Sequence, residues 1–186
     1  MRARVHRKTK EVSVEVYVNF EGGECSVSTG IPFLDHMLET FAKHSAIGLK
    51  IVAKGDLEVD EHHTIEDVAI TLGRAIKEAL GSKEGLKRFG YAIVPMDESV
   101  AICGVDLSGR GIFNFFGEFG DAGIKGENAY HFFDTLCRNS GINAFLEVRG
   151  MNAHHKIEAS FKAFALSLRM AVEKGEGVRS TKGLLD

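Results

Sequence analysis

The stretch His62-His63-Thr64-Ile65-Glu66 returns later in the chain as His154-His155-Lys156-Ile157-Glu158. A single histidine precedes each copy. It is His36 in His36-Met37-Leu38-Glu39-Thr40-Phe41, and His131 in His131-Phe132-Phe133-Asp134-Thr135-Leu136. One such pentapeptide arises easily by chance. Two, each with a matching upstream histidine, imply an internal duplication. The halves meet near Phe89, giving residues 1–90 as one half-domain and 91–186 as the other.

The patterning outside the repeat agrees. Val12, Val14, Val16 and Val18 alternate with other residues as in a half-buried strand. Glu21-Gly22-Gly23 turns the chain, and Cys25 to Ser28 returns as a strand. Pro32 suits the first turn of a helix that runs to about His44, and Gly48 to Ala53 reads as a strand. From Thr64 to Gly81, residues Ile65, Val68, Ala69, Leu72, Ile76 and Leu80 recur at helical spacing. The second half offers strands at Val100 to Leu107, Gly111 to Phe119 and Ile142 to Val148. Its helices lie at about Asn128 to Asn139 and from about His155, where Ile157, Phe161, Phe164 and Leu168 recur. Each half therefore reads β-β-α-β-α. The expected class is α+β, a sandwich of sheets and helices.

Composition narrows the function classes. The 186 residues are 44% hydrophobic and 26% charged, an ordinary globular balance. No apolar run is long enough to span a membrane, and the basic stretch Met1 to Lys10 has no apolar segment behind it to make a secretory signal. A net charge of -3 argues against a bulk nucleic-acid binder. Cys25, Cys103 and Cys137 are far apart and odd in number, so reduced thiols in a cytoplasmic protein fit better than a disulfide framework.

The repeated histidines suit metal ligation. At a helix start, His62 and Glu66 (i, i+4) share a face, as do His63 and Glu66 (i, i+3). The two imidazoles themselves diverge by about 100°, so one metal cannot easily take both. With His36 and His131, the chain offers His36, His62, His63, His131, His154, His155, Glu66 and Glu158, which divide into two sets of three imidazoles and one carboxylate. Such sites leave positions open for substrate and suit Mn, Fe, Co or Zn. A lone histidine on a helix is usually a surface or capping residue, but packing alone gives no reason to repeat two adjacent imidazoles. The order is not that of the HExxH zinc proteases. His6 and His44 have no partner pattern and read as surface residues.

Other polar residues are weaker signals. Arg88 lies between the halves, Arg110 closes Asp106-Leu107-Ser108-Gly109-Arg110, and Ser180-Thr181-Lys182-Gly183 lies near the chain end. Each can be plain surface charge, yet Arg beside Gly and Ser or Thr beside Lys-Gly also hold phosphates. Lys162, at i+4 from Glu158, reads equally as a helix ion pair. Glu11 can be a charged strand end, and Asp97-Glu98 a turn.

Together, Arg7-Lys8-Thr9-Lys10-Glu11, Pro32-Phe33-Leu34-Asp35-His36-Met37-Leu38, His62-His63-Thr64-Ile65-Glu66-Asp67, Arg88-Phe89-Gly90, Asp106 to Arg110, His131-Phe132-Phe133, Asn152 to Glu158 and Ser180 to Gly183 resemble the imidazoleglycerol-phosphate dehydratases of histidine biosynthesis. The resemblance covers nearly the whole chain. One departure is Val12, where the family often has Thr after the strand-end Glu.

The resemblance implies loss of water from D-erythro-imidazole-glycerol phosphate to give imidazole-acetol phosphate, with two Mn(II) per active site. It implies the eight His and Glu residues above as ligands. Phosphate would be held by Arg88, Arg110, Ser180 and Lys182 with help from Lys162, and Glu11 would contact substrate. It also implies a shell of 24 subunits built from trimers, with sites between subunits. The chemistry is coherent. The hydrogen to be lost has no adjacent carbonyl, so the imidazole is the only electron sink, and metal binding to that ring helps the hydroxyl leave. Glu11, Glu66 and Glu158 are the carboxylates placed for acid/base work. A dinuclear phosphate-ester hydrolase would also want such ligands, but no bridging carboxylate stands out. A metal-storage shell would not need the Arg and Lys set.

Overall fold

The computed structural model describes residues 1–175. The first half runs β1 (Arg2–Lys8), β2 (Ser13–Asn19), β3 (Cys25–Ser28), α1 (Pro32–Ser45), β4 (Gly48–Lys54) and α2 (His62–Leu80). The second runs β5 (Phe89–Met96), β6 (Ser99–Asp106), β7 (Phe113–Phe116), α3 (Gly126–Ser140), β8 (Asn143–Arg149) and α4 (Ala153–Ala171). The sheets have matching orders, β1-β2-β4-β3 and β5-β6-β8-β7. In each, the short third strand pairs parallel with the fourth and the other neighbours are antiparallel. The α+β class and the two similar halves stand as expected.

Each half carries one strand more than its pattern announced. β1 alternates Arg2, Arg4 and His6 outward with Ala3 and Val5 inward, but none of its residues is fully buried, so the apolar signal is faint. β5 is masked for the opposite reason. Phe89, Tyr91 and Ile93 face outward while Ala92 and Val94 face in, so both faces are apolar and the period of two disappears. α1 starts at Pro32 as expected, while α2, α3 and α4 each start two residues earlier than the apolar spacing marks. In α4 the Asn152 side chain accepts from the His155 N–H at 3.1 Å.

The four helices lie between the two sheets. α2 packs across β1 and β2, and α4 across β5 and β6, so each sheet covers a helix of its own half. Across the seam the halves exchange partners: α1 lies against α4, and α2 against α3. Phe41 and Phe164 meet at 6.2 Å between ring centroids in the first pair. One buried apolar cluster joins Val14, Val16 and Val18 to Phe133, Phe161 and Phe164. No helix among the described residues is long and apolar enough to cross a membrane.

The α2–α3 contact depends on Gly73. A Cβ there would sit 2.7 Å from the Asn139 Cβ and 2.9 Å from the Leu136 carbonyl oxygen. Neither neighbour is a flexible side-chain tip. Gly73→Ala is expected to cost about 1–3 kcal/mol of stability by overpacking, read as a lower urea midpoint. An unchanged midpoint would show that the seam can open without penalty.

Candidate metal centre

The exchange of helix partners builds two side-chain clusters, each drawing on both halves. In one, His62 and Glu66 at the start of α2 meet His131 of α3. The His62 and His131 rings stack at 4.7 Å and 17°. His131 Nε2 lies 3.4 Å from Glu66 Oε1. In the other, His154 and Glu158 of α4 meet His36 of α1. Glu158 Oε2 is 3.0 Å from His154 Nε2 and 3.6 Å from His36 Nε2. Each cluster is the first His and the Glu of one pentapeptide plus the single His of the opposite half.

The donor atoms of each cluster lie within 4.8 Å of one another. Metal bonds of about 2.0–2.2 Å to imidazole and carboxylate bring such a set together with small side-chain rotations. His131 Nε2 is sealed from solvent and has no hydrogen-bond partner. A buried ring nitrogen is rarely left so, and a ligand to that lone pair removes the cost. The donor sets therefore fit a divalent cation.

His63 and His155 turn away from these clusters, as the angle between adjacent helical side chains requires. Their surroundings match. His63 Nδ1 is 3.0 Å from Asp56 Oδ2 and 3.8 Å from Glu11 Oε2. His155 Nδ1 is 2.8 Å from Glu98 Oε2, and its Nε2 is 3.5 Å from Asp97. The hydrogen bond to Asp56 raises the His63 pKa, and that to Glu98 raises the pKa of His155. Glu98 is itself held well below the usual carboxylate range by His155, then by the Asn152 N–H and Ser99. Glu11 is exposed and sits in a loop braced by Asp67, the residue after the first pentapeptide. Arg7 Nε bonds Asp67 Oδ1 at 2.7 Å, and Thr9 Oγ1 lies 3.4 Å from Asp67 Oδ2.

Glu158 is 8% exposed. Burial works to raise its pKa, but hydrogen bonds from Lys162 and His154 outweigh it and hold the carboxyl below its ordinary value. Lys162 Nζ is 2.9 Å from Glu158 Oε1, so this lysine sits on a cluster rather than beside the arginines. Arg88 and Arg110 converge on Asp106. Arg88 grips it through Nε at 2.6 Å and Nη2 at 3.2 Å, and Arg110 Nη2 stands 3.6 Å away. Arg88 holds a left-handed backbone with φ 73°. Its N–H donates to Ala171 and its carbonyl accepts from Leu107, which fix that conformation. Ser180 and Lys182 lie outside the described residues. His6 and His44 belong to neither cluster.

Asp56, Glu61, Asp67, Asp106 and Asn128 escaped the sequence reading as partners of these groups. Asp67 and Asp106 lie inside the quoted motifs, so their positions were visible though their roles were not. The partners of His62 and His63 depend on side-chain direction, which spacing does not reveal.

The imidazoleglycerol-phosphate dehydratase family profile matches residues 29–168. An imidazoleglycerol-phosphate dehydratase of Archaeoglobus fulgidus is 56% identical over 181 residues, covering 97% of each chain. That of Methanococcoides burtonii is 50% identical over 188 residues, covering 98% of each. Among solved structures, the Pyrococcus furiosus enzyme superposes with a TM-score of 0.87 at 36% identity, over 97% of this chain and 100% of that one. The Staphylococcus aureus enzyme gives 0.84 at 31% identity, over 94% and 100%. Duplicated sheets, paired His/His/Glu clusters and this likeness along nearly the full chain have one explanation: the chain belongs to the imidazoleglycerol-phosphate dehydratase family.

Proposed function

We infer that two divalent metal ions, Mn(II) by family resemblance, serve the dehydration of imidazoleglycerol phosphate that this chain carries out in histidine biosynthesis. The observation that carries the metal reading is His131 Nε2, buried without a hydrogen-bond partner in a cluster that the other half duplicates. His62, Glu66 and His131 would hold one ion, and His36, His154 and Glu158 the other. Ions held there would supply Lewis acidity to the substrate's imidazole ring, the only electron sink available for loss of the hydroxyl.

The chain's own groups do the rest. As a displaced ligand held by Lys162, Glu158 would take a proton, and exposed Glu11 beside His63 is a second candidate. Arg88 and Arg110 orient the phosphate, joined by Lys162 and by Ser180 and Lys182 of the tail. His63 and His155 diverge from their own clusters and would complete those of neighbouring subunits, in a cytoplasmic assembly of 24 subunits built from trimers. Residues 1–90 and 91–186 are the duplicated units.

The test is turnover by metal-stripped protein before and after adding Mn(II), with sedimentation of both samples. We expect ketone only with metal, and a smaller particle when metal is removed. Full activity after stripping would overturn the metal reading. Release of inorganic phosphate instead of ketone would favour a hydrolase. An unchanged particle in chelator would remove metal from the assembly.

A further inference from the structure

The two duplicated clusters are not equivalent. Three residues before His131 stands Asn128, and three before His36 stands Phe33. The duplication makes these counterparts, and they meet counterpart histidines. Asn128 Oδ1 lies 3.0 Å from His62 Nδ1. Phe33 presents its ring to His154 edge-on at 5.1 Å and 84°. One histidine has a hydrogen-bond acceptor behind it, and the other has a hydrocarbon.

The proton on His62 follows from the network. Glu61 Oε1 accepts from the Lys125 N–H at 2.9 Å and from Asn128 Nδ2 at 2.8 Å. An oxygen that accepts a backbone N–H presents an acceptor to its other neighbour, so the Asn128 amide group faces Glu61 and its carbonyl oxygen faces His62. That carbonyl oxygen only accepts. His62 Nδ1 must therefore carry the hydrogen, which leaves the Nε2 lone pair free. Asn128 is 3% exposed, and its bond to Glu61 holds the amide in this orientation. The network spans the seam, from the start of α2 to the start of α3, so it fixes the ring of His62 against His131 as well. A second difference acts the same way. Glu158 has Lys162 at i+4 as a competing cation, whereas Glu66 has Ile70 there.

We propose that Asn128, anchored by Glu61, is a positioning residue that fixes the tautomer and ring plane of His62, making the His62–Glu66–His131 cluster the tighter of two unequal metal sites. The inference rests on the metal reading above and deepens it. An acceptor behind a ligating imidazole sets which nitrogen bears the lone pair and raises its basicity.

Mn(II) titration of the stripped full-length protein, followed by calorimetry and electron paramagnetic resonance, tests this. The unaltered protein should show two affinity classes per chain. Asn128→Leu should weaken the tight class about tenfold to a hundredfold and leave the other in place. Glu61→Gln combined with Asn128→Asp reverses donor and acceptor between the two side chains and keeps an acceptor behind His62, at the cost of the bond from the Lys125 N–H, and should restore the tight class. Melting of the metal-free variants separates positioning from folding. If the Leu variant does not fold, Glu61→Ala, which frees the Asn128 amide to turn, is read the same way. Two indistinguishable classes, equal weakening of both, or no rescue by the double variant would overturn the proposal. Absence of Mn(II) binding even in the unaltered protein would overturn the metal reading, and this proposal with it.

Discussion

Glu158→Gln is expected to lower kcat by about 10²- to 10⁴-fold while KM moves by less than about tenfold. The way the carboxylate is held sets this outcome. Its Oε1 takes Lys162 at 2.9 Å, and its Oε2 faces His154 and His36 at 3.0 and 3.6 Å. Glutamine keeps the volume and one acceptor but removes the charge and the capacity to take a proton. Lys162 then faces a neutral amide in a buried site. On the proposed phosphate role of Arg88 and Arg110, substrate binding would rest more on those arginines, so KM should be the less affected constant. Metal content of the variant, measured in the same preparation, separates loss of a ligand from loss of a base. Equal loss of turnover and of substrate affinity would remove the acid/base role.

Arg88→Ala should destabilise the fold by about 1.5–3 kcal/mol, the usual cost of losing hydrogen bonds to a charged group, because it strands a half-buried carboxylate. The Arg88 and Asp106 side chains are only 14% and 18% exposed. Arg110 is too far at 3.6 Å and too exposed to replace the two short bonds. The cation also lies 4.7 Å from the centroid of the Phe89 ring and ties the start of β5 to the end of β6. Replacing both partners, Arg88→Leu with Asp106→Leu, should recover much of the loss because no charge is left buried. Urea unfolding of the metal-free protein reads both variants. A loss under about 1 kcal/mol for Arg88→Ala would class the pair with exposed salt bridges. It would leave Arg88 a role in phosphate binding only.

The sequence was most informative where physics is local. The valines of β2, the proline that opens α1 and the helical spacing after His62 all report burial within one element, and each lies where its pattern placed it. β1 and β5 were obscured because burial there depends on neighbours. β1 is a partly exposed edge, and β5 has apolar residues on both sides. The same divide applies to the site. That His62 and His63 cannot serve one metal follows from helix geometry. That His62 joins His131, rather than His36 of its own half, is a property of the exchanged helix pairing. Asn128 carries no motif signal of its own. Its meaning comes only from the acceptor, Glu61, on the other side of the seam.

The exchanged helix pairing also bears on history. Neither half holds a complete His/His/Glu cluster, because each pentapeptide finds its third side chain in the opposite half. A lone half associating with an identical copy through the same helix faces would complete two clusters at once, related by a twofold axis. The single-chain molecule thus has the form of a fused homodimer, in which the ancestral symmetry survives in the backbone. Fusion freed equivalent positions to diverge, and Asn128 opposite Phe33 is a difference that no true homodimer can encode.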